Sequence, residues 1–178
     1  GIGVIGGYYQ YRKLLKLSDA INQLSNRPFY MIGGHGPSPE PEYFLKKTQA
    51  DVVVIGEGEI TIIELLTALE RKTDLSTVQG IAFLKNGKCT KTPKRAQIKS
   101  IDDISHPAWD LFPIDHYALL REPNASYSDR CMLVLSGRGC DFGCNFCYRM
   151  DDGHRPRSAA GIIEEIRILQ KDYAISYI

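Results

Sequence analysis

No stretch of this sequence is apolar for long enough to cross a bilayer as a helix, and no signal peptide is visible. Neither sign of charge is in excess either, the net charge being +1, so nothing argues for a nucleic acid or an anionic membrane as partner. Internal repeats and low-complexity tracts are lacking. Tryptophan occurs once, and Trp109 reads as a packing anchor rather than a substrate platform. Cysteine is scarce, and three of the five crowd into one loop, which favours a reducing cytoplasm over a disulfide framework. The most telling absence comes after Cys147: no further cysteine follows. A fully ligated electron-transfer iron–sulfur cluster needs a fourth cysteine nearby.

What is there is the run Ser136-Gly137-Arg138-Gly139-Cys140-Asp141-Phe142-Gly143-Cys144-Asn145-Phe146-Cys147-Tyr148, with the spacing C-x3-C-x2-C. Three thiolates this close can hold three irons of a cubic cluster and leave the fourth iron open for a ligand. Gly137, Gly139 and Gly143 suit a backbone that wraps closely around a bulky group. A second use of the same thiols is a structural Cys3His zinc site completed by His154, although such sites usually use two separated pairs. Cys89 and Cys131 read as small buried or strand residues.

Hydrophobic content of 43% and charged content of 24% are those of a globular protein, and 178 residues suffice for one domain and part of another. The first 75 residues alternate in pattern. Gly1–Ile5 is an apolar run ending in Gly6-Gly7. A helix is predicted over about Gln10–Ser25, with Leu14, Leu17, Ile21 and Leu24 on one face. Phe29–Ile32 forms the next strand, and Pro41 opens a short helix through about Lys47. The β-branched run Asp51–Ile55 suits a sheet buried on both faces. A helix with Ile62, Ile63, Leu65, Leu66 and Leu69 follows. This order predicts an open parallel sheet with helices on both faces. Ligands on such sheets bind at the carboxyl ends of the strands, where Gly33-Gly34 and Gly56-Glu57-Gly58-Glu59 fall.

Asn86-Gly87 between alternating segments predicts a hairpin, adding an antiparallel edge. A region of low regularity runs from Pro93 to about Arg130. Next, Cys131–Leu135 reads as a strand, followed by the cysteine loop. A helix capped by Ser158 comes after it, with Ile162, Ile163, Ile166 and Leu169 along one face.

The cysteine spacing, with aromatic Phe146 just before the third thiol, resembles the signature loop of radical S-adenosylmethionine (SAM) enzymes. That resemblance implies a [4Fe-4S] cluster on Cys140, Cys144 and Cys147. SAM would chelate the open iron and be cleaved by one electron to a 5′-deoxyadenosyl radical. Phe146 and Tyr148 would line the adenine. The glycine loops and the piece Ile101–Tyr117 resemble the cobalamin-binding domain and linker that precede the barrel in one branch of that family. There Gly33, Gly34, Gly56, Glu57, Gly58 and Glu59 would face the cofactor's nucleotide tail. The family's serine-x-leucine element is replaced by Gly3 and Ile5. His35 reads as a loop surface residue, and His106 and His116 as structural.

The implied fold is α/β. Residues 1–92 would form a partial Rossmann-like (flavodoxin-like) cobalamin domain with an edge hairpin, 93–130 a linker, and 131–178 the first β/α unit of a TIM-like radical SAM barrel. The chain would be an internal piece of a longer enzyme, without turnover by itself. Family members include methyltransferases that alkylate unactivated carbon, a hopanoid-lipid methylase and the anaerobic magnesium-protoporphyrin IX monomethyl ester oxidative cyclase. The implied partners are a small-molecule substrate, of tetrapyrrole or lipid type, and a one-electron donor such as flavodoxin or ferredoxin. Two other classes stay open: an iron–sulfur electron-transfer protein, and a non-catalytic cobalamin- or nucleotide-binding module with structural zinc. The methylthiotransferase branch is disfavoured because its extra N-terminal cysteines are not seen.

Overall fold

A computed structural model describes residues 1–3, 7–120 and 122–178. The expected strand end and glycine turn at Val4, Ile5 and Gly6 lie outside the described residues. The chain divides into two compact units. One comprises residues 1–98 and 142–151, and the other residues 99–141 and 152–178.

The first unit is built on a five-stranded sheet. Its strands are β1 (Ile2–Gly3), β2 (Met31–Gly33), β3 (Val52–Val54), β4 (Ile81–Lys85) and β5 (Lys88–Lys91), in that spatial order. β1, β2 and β3 are parallel, whereas β4 and β5 are antiparallel additions. The parallel part is joined by α1 (Tyr8–Asn22) and α2 (Pro41–Thr48), and α3 (Glu59–Arg71) follows β3. Side-chain alternation along β3 explains the layering. Val53 points to the face that holds Leu14 of α1 and Leu45 of α2. Val52 and Val54 point to the other face, against Leu65 and Ala68 of α3. All three valines are buried, as a strand covered on both faces requires.

The hairpin turn is the expected one. Asn86 and Gly87 have φ of 52° and 75°, the two positive values that a tight two-residue turn between twisted strands needs. Pro41 does sit in the first turn of α2, where no backbone donor is lost. Below the sheet, the Arg27 guanidinium bonds Asp51 at 2.8 Å and the Gln49 carbonyl at 2.6 Å. Asp51 also accepts the Tyr30 N–H at 2.6 Å, so one carboxylate aligns the starts of β2 and β3.

The second unit holds α4 (Ile114–Ala118), β6 (Gly137–Cys140), β7 (Gly153–Pro156) and α5 (Ala159–Tyr173). Ile114, Ala118, Leu169 and Ile175 form its core, and Trp109 packs against them as an anchor. Two expectations need correction here. Cys131–Leu135 is not a regular strand: it makes a single parallel bridge, Cys131 to Tyr177. Met132 and Val134 face the core, but Leu133 and Leu135 remain 74% and 55% exposed, so the pattern is strand-like where its pairing is minimal. Ile163 is not on the buried face of α5. Its place one position off the Ile162–Ile166–Leu169 line leaves it 46% exposed, while Glu165 is 3% exposed. The cysteine loop is flanked by regular structure that was not expected from the sequence. β6 and β7 pair antiparallel across it, with Gly137 opposite Pro156 and Cys140 opposite Gly153.

Candidate functional site: the cysteine loop and the glycine loops

Cys140 closes β6, and its cross-strand neighbour is Gly153, whose φ of 69° is accessible to glycine. With no side chain opposite, the Cys140 face of the ribbon is left clear. Asp141 Oδ1 accepts the His154 N–H at 2.9 Å and seals the open end of the ribbon. His154 lies over β6: a Cβ on Gly137 would stand 3.0 Å from its Nε2. The same Cβ would stand 3.0 Å from the Arg155 carbonyl oxygen and 3.2 Å from the Pro156 Cα, so a larger residue here would crowd the backbone of β7.

Cys144 and Cys147 flank a turn at Asn145-Phe146, tied by the Cys147 N–H to the Cys144 carbonyl at 3.4 Å. All three thiols are exposed. So are Phe146 (89%) and Tyr148 (49%). Among the described residues, no three cysteine, histidine or acidic side chains stand ready-gathered around one point. The donor set nonetheless fits an iron–sulfur cluster chemically: three accessible thiols in one short, glycine-containing loop, of the kind that metal binding itself organises.

The glycine loops lie at the carboxyl ends of β2 and β3. Gly33 ends β2, where a Cβ would come within 3.3 Å of both the Val54 Cβ and the Val54 carbonyl oxygen. Gly34 takes φ of 96° and Gly56 φ of 81°. Nothing lies within 4 Å of the place where a Cβ on Gly56 would stand, so its backbone faces open space. Buried Ser38 joins the two loops. Its N–H donates to the Gly34 carbonyl at 3.1 Å, and its Oγ accepts the Gly56 N–H at 3.4 Å. Glu57 is half-buried, and its Oε2 accepts the Ile98 N–H at 2.9 Å, which gives that carboxylate a structural task. Gly58 precedes α3, and half-buried Glu59 opens it. His35 is exposed, as expected.

A cleft of about 280 Å³ opens beside the second glycine loop. Ile55, Gly56 and Glu57 form one wall, and Tyr148, Arg149 and Met150, immediately after Cys147, form part of another. The Ser38 hydroxyl reaches Met150 Sδ at 3.8 Å, linking the same two segments.

Several residues here went unremarked in the sequence. Arg95 stood in a region read as irregular. Its Nε donates to Thr61 Oγ1 at 2.8 Å, and its guanidinium pairs with Glu64, holding that carboxyl below its ordinary pKa. Gly80 takes φ of 74°, and a Cβ there would lie 3.2 Å from Thr61 Oγ1. Only Pro93 beside two basic residues marked this corner. Arg157 and Glu165 form an ion pair of two buried side chains, 10% and 3% exposed. An acidic residue on the apolar line of a helix was the available signal.

No family model matches the chain. It is 32% identical over 174 residues to an uncharacterised methyltransferase of Pyrococcus horikoshii, covering 96% of this chain and 36% of that protein. Identity is 28% over 154 residues to the anaerobic magnesium-protoporphyrin IX monomethyl ester cyclase of Rubrivivax gelatinosus, covering 83% of this chain and 27% of the cyclase. The chain thus spans about a third of the length of these curated relatives. Among solved structures, it superposes with a TM-score of 0.62 on the radical SAM methyltransferase TsrM of Kitasatospora setae, solved with cobalamin and a [4Fe-4S] cluster bound. That match covers 95% of this chain and 32% of TsrM at 20% identity, which is a likeness of fold. A further relative is the cobalamin-dependent radical SAM methyltransferase TokK of Streptomyces tokunonensis, 26% identical over 141 residues, covering 78% of this chain and 20% of TokK. The relatives and structural neighbours thus include the family that the cysteine and glycine loops resemble.

Proposed function

We propose that the chain carries the cluster loop and part of the cobalamin site of a radical SAM enzyme. Cys140, Cys144 and Cys147 would hold a [4Fe-4S] cluster, with Phe146 and Tyr148 beside the adenine of SAM. Gly33, Gly34, Gly56 and Gly58 would let the nucleotide tail of cobalamin approach the backbone, with Glu57 and Glu59 at its edge. In this assignment residues 1–92 serve cobalamin, 93–130 connect, and 131–178 begin the barrel. If bound by these three thiolates, the cluster would supply one-electron reduction of SAM, and cobalamin held at the glycine loops would supply a carrier for a methyl group. The whole enzyme would act on a carbon of a small molecule, by methyl transfer or oxidative cyclisation, with a tetrapyrrole or a lipid as substrate and a flavodoxin- or ferredoxin-type donor.

One observation carries this reading. The cleft at Gly56 and Glu57 is lined on another side by Tyr148, Arg149 and Met150, within three residues of Cys147. A corrinoid at the glycine loop and a cluster on the cysteine loop would therefore share a wall. The chain's own residues contribute shape and exclusion of water there: Ile55 and Met150 are apolar, and Ser38 braces both loops.

The test is anaerobic reconstitution with iron and sulfide, followed by addition of SAM and, separately, hydroxocobalamin. Iron and sulfide should be retained in equal amounts, the reduced cluster's electron paramagnetic resonance signal should change with SAM, and hydroxocobalamin should be retained with a shifted visible spectrum. A chain that refuses iron under these conditions, or whose reduced cluster is indifferent to SAM, does not have this function.

A further inference from the structure

The base of the cysteine loop is closed by a single residue. The Arg157 N–H donates to the Ser136 carbonyl at 2.9 Å. Its Nη1 donates to the Leu135 carbonyl at 2.9 Å and also to Glu165 Oε2, and its Nη2 donates to the Gly161 carbonyl at 3.2 Å. One guanidinium thereby joins the chain entering the loop, the first turn of α5 and the second turn of α5. Leu135 and Ser136 immediately precede β6, which ends in Cys140, and Arg157 immediately follows β7.

Chemistry explains why arginine stands here. Its planar fork offers several donors in fixed directions, and three different acceptors use them. Glu165 would otherwise be an unneutralised carboxylate on the core face of α5, so the buried pair holds only as a pair. A pair of this kind is weak evidence for overall stability, because both charges lose water. Its more telling consequence is geometric. The start of β6 and the end of β7 are tied at their shared base to one helix, so the direction in which β6 sets out toward Cys140 is set there.

We infer that Arg157 and Glu165 are positioning residues for the cluster loop: they hold the base of the β6–β7 ribbon to α5 and so set the direction from which β6 reaches Cys140. The role toward the cluster rests on the function proposed above, whereas the mechanical role does not. Arg157→Lys keeps a positive charge for Glu165 but loses the fork. Glu165→Gln keeps the shape and leaves the guanidinium without its counter-charge.

The experiment is hydrogen exchange resolved by segment on the apo chain, together with the rate of iron release to a chelator from the reconstituted chain. Leu169 to Ile175 reports the core of the second unit, and residues 137–140 with 153–156 report the ribbon. In either variant, exchange in the ribbon should quicken by roughly tenfold, while the core segment stays as in the parent. Iron release should quicken alongside it. Exchange that rises equally in ribbon and core makes the pair a general stabiliser and overturns the inference. So does a ribbon that exchanges as in the parent, whatever the iron does. A quickened ribbon with an unchanged rate of iron release overturns the link to the cluster. If the parent chain takes up no iron while the ribbon responds as expected, the clamp stands and the proposed function falls, so the two failures are distinguishable.

Discussion

Both carboxylate oxygens of Asp102 accept the backbone N–H of Ser158, at 3.2 and 3.0 Å. Asp102 belongs to the short turn at Ile101–Asp103, and Ser158 is the cap of α5, whose hydroxyl accepts the Gly161 N–H at 3.0 Å. The start of α5 is thus covered twice, by its own serine and by an aspartate some fifty residues earlier in the chain. Negative charge is favoured at that end of a helix. Gly161 belongs to the same arrangement, since a Cβ there would stand 2.7 Å from Asp102 Oδ1.

This geometry makes two substitutions interdependent. Asp102→Ala should cost roughly 1 kcal/mol, as for loss of a helix cap. Gly161→Ala would ordinarily stabilise a helix by up to about 1 kcal/mol, but in the parent it must displace the Asp102 carboxylate. The gain should therefore appear only in the Asp102→Ala background. A double-mutant cycle by denaturant unfolding should return a coupling energy of about 0.5 kcal/mol or more, and strict additivity would show that the carboxylate does not occupy this place.

Tyr30 provides a pH-dependent term. It is 3% exposed, and its hydroxyl pairs with Ser18 Oγ at 2.9 Å. Burial pushes its pKa above the ordinary 10.0, with the Ser18 bond and the Arg27 charge pulling more weakly the other way. A raised pKa means that the fold favours the neutral phenol. That contribution is fully present below the unfolded pKa of about 10 and is lost as pH rises through the higher folded value. Tyr30→Phe should lower stability by about 1 kcal/mol at neutral pH. Above pH of about 10 the parent should lose stability relative to the variant, because phenylalanine has nothing to ionise. Denaturant midpoints that stay parallel through the alkaline range would contradict this.

How far the sequence was legible follows from the range over which each signal acts. Strand β3, the Asn86-Gly87 turn, Pro41 in α2 and the Ser158 cap are local: a few adjacent residues determine them, and each stands where it was expected. Likewise the alternation of β1, β2 and β3 with α1, α2 and α3 needs only periodicity. Glu165 was half legible: an acidic residue on the apolar line of α5 marks the place, but its burial depends on Arg157, which comes from before the helix. The β6–β7 ribbon was hidden because Gly137, Arg138 and Gly139 carry no β-propensity, and pairing is imposed by closure of the loop at its base. Glu57 illustrates the remaining gap. Its place beside the glycine loop was readable, but its bond to the Ile98 N–H joins residues far apart in the chain.

Two glycines separate backbone strain from access to a cofactor. Gly56 and Gly87 have φ of 81° and 75°, and a Cβ on either would meet nothing within 4 Å. Alanine should therefore strain both similarly, by about 1–2 kcal/mol. Only Gly56 lies at the cleft beside the cysteine-loop segment. Gly56→Ala should weaken retention of hydroxocobalamin by roughly tenfold or more, equivalent to about 1.4 kcal/mol, while Gly87→Ala leaves it unchanged. Equilibrium dialysis of both variants, with unfolding curves alongside, checks this. Equal effects on retention would assign the loss to general destabilisation.

The cysteines allow the sharpest discrimination, because five are present and only three are assigned to iron. Removing one thiolate from a three-thiolate cluster leaves a second iron without a protein ligand, so alanine at Cys140, Cys144 or Cys147 should each abolish retained iron and sulfide. Cys89 differs in kind. It lies in β5, partly buried against the core beside α1 and α2, and burial pushes its thiol pKa up. A thiol kept protonated is a poor ligand and a poor nucleophile near neutral pH. Cys89→Ser should therefore leave the iron content as in the parent. Iron and sulfide analysis after anaerobic desalting, on the parent and the four variants, checks both halves. Retention by Cys144→Ala at the level of the parent would remove that thiol from the cluster, and loss of iron in Cys89→Ser would mean that the ligand set extends beyond the loop.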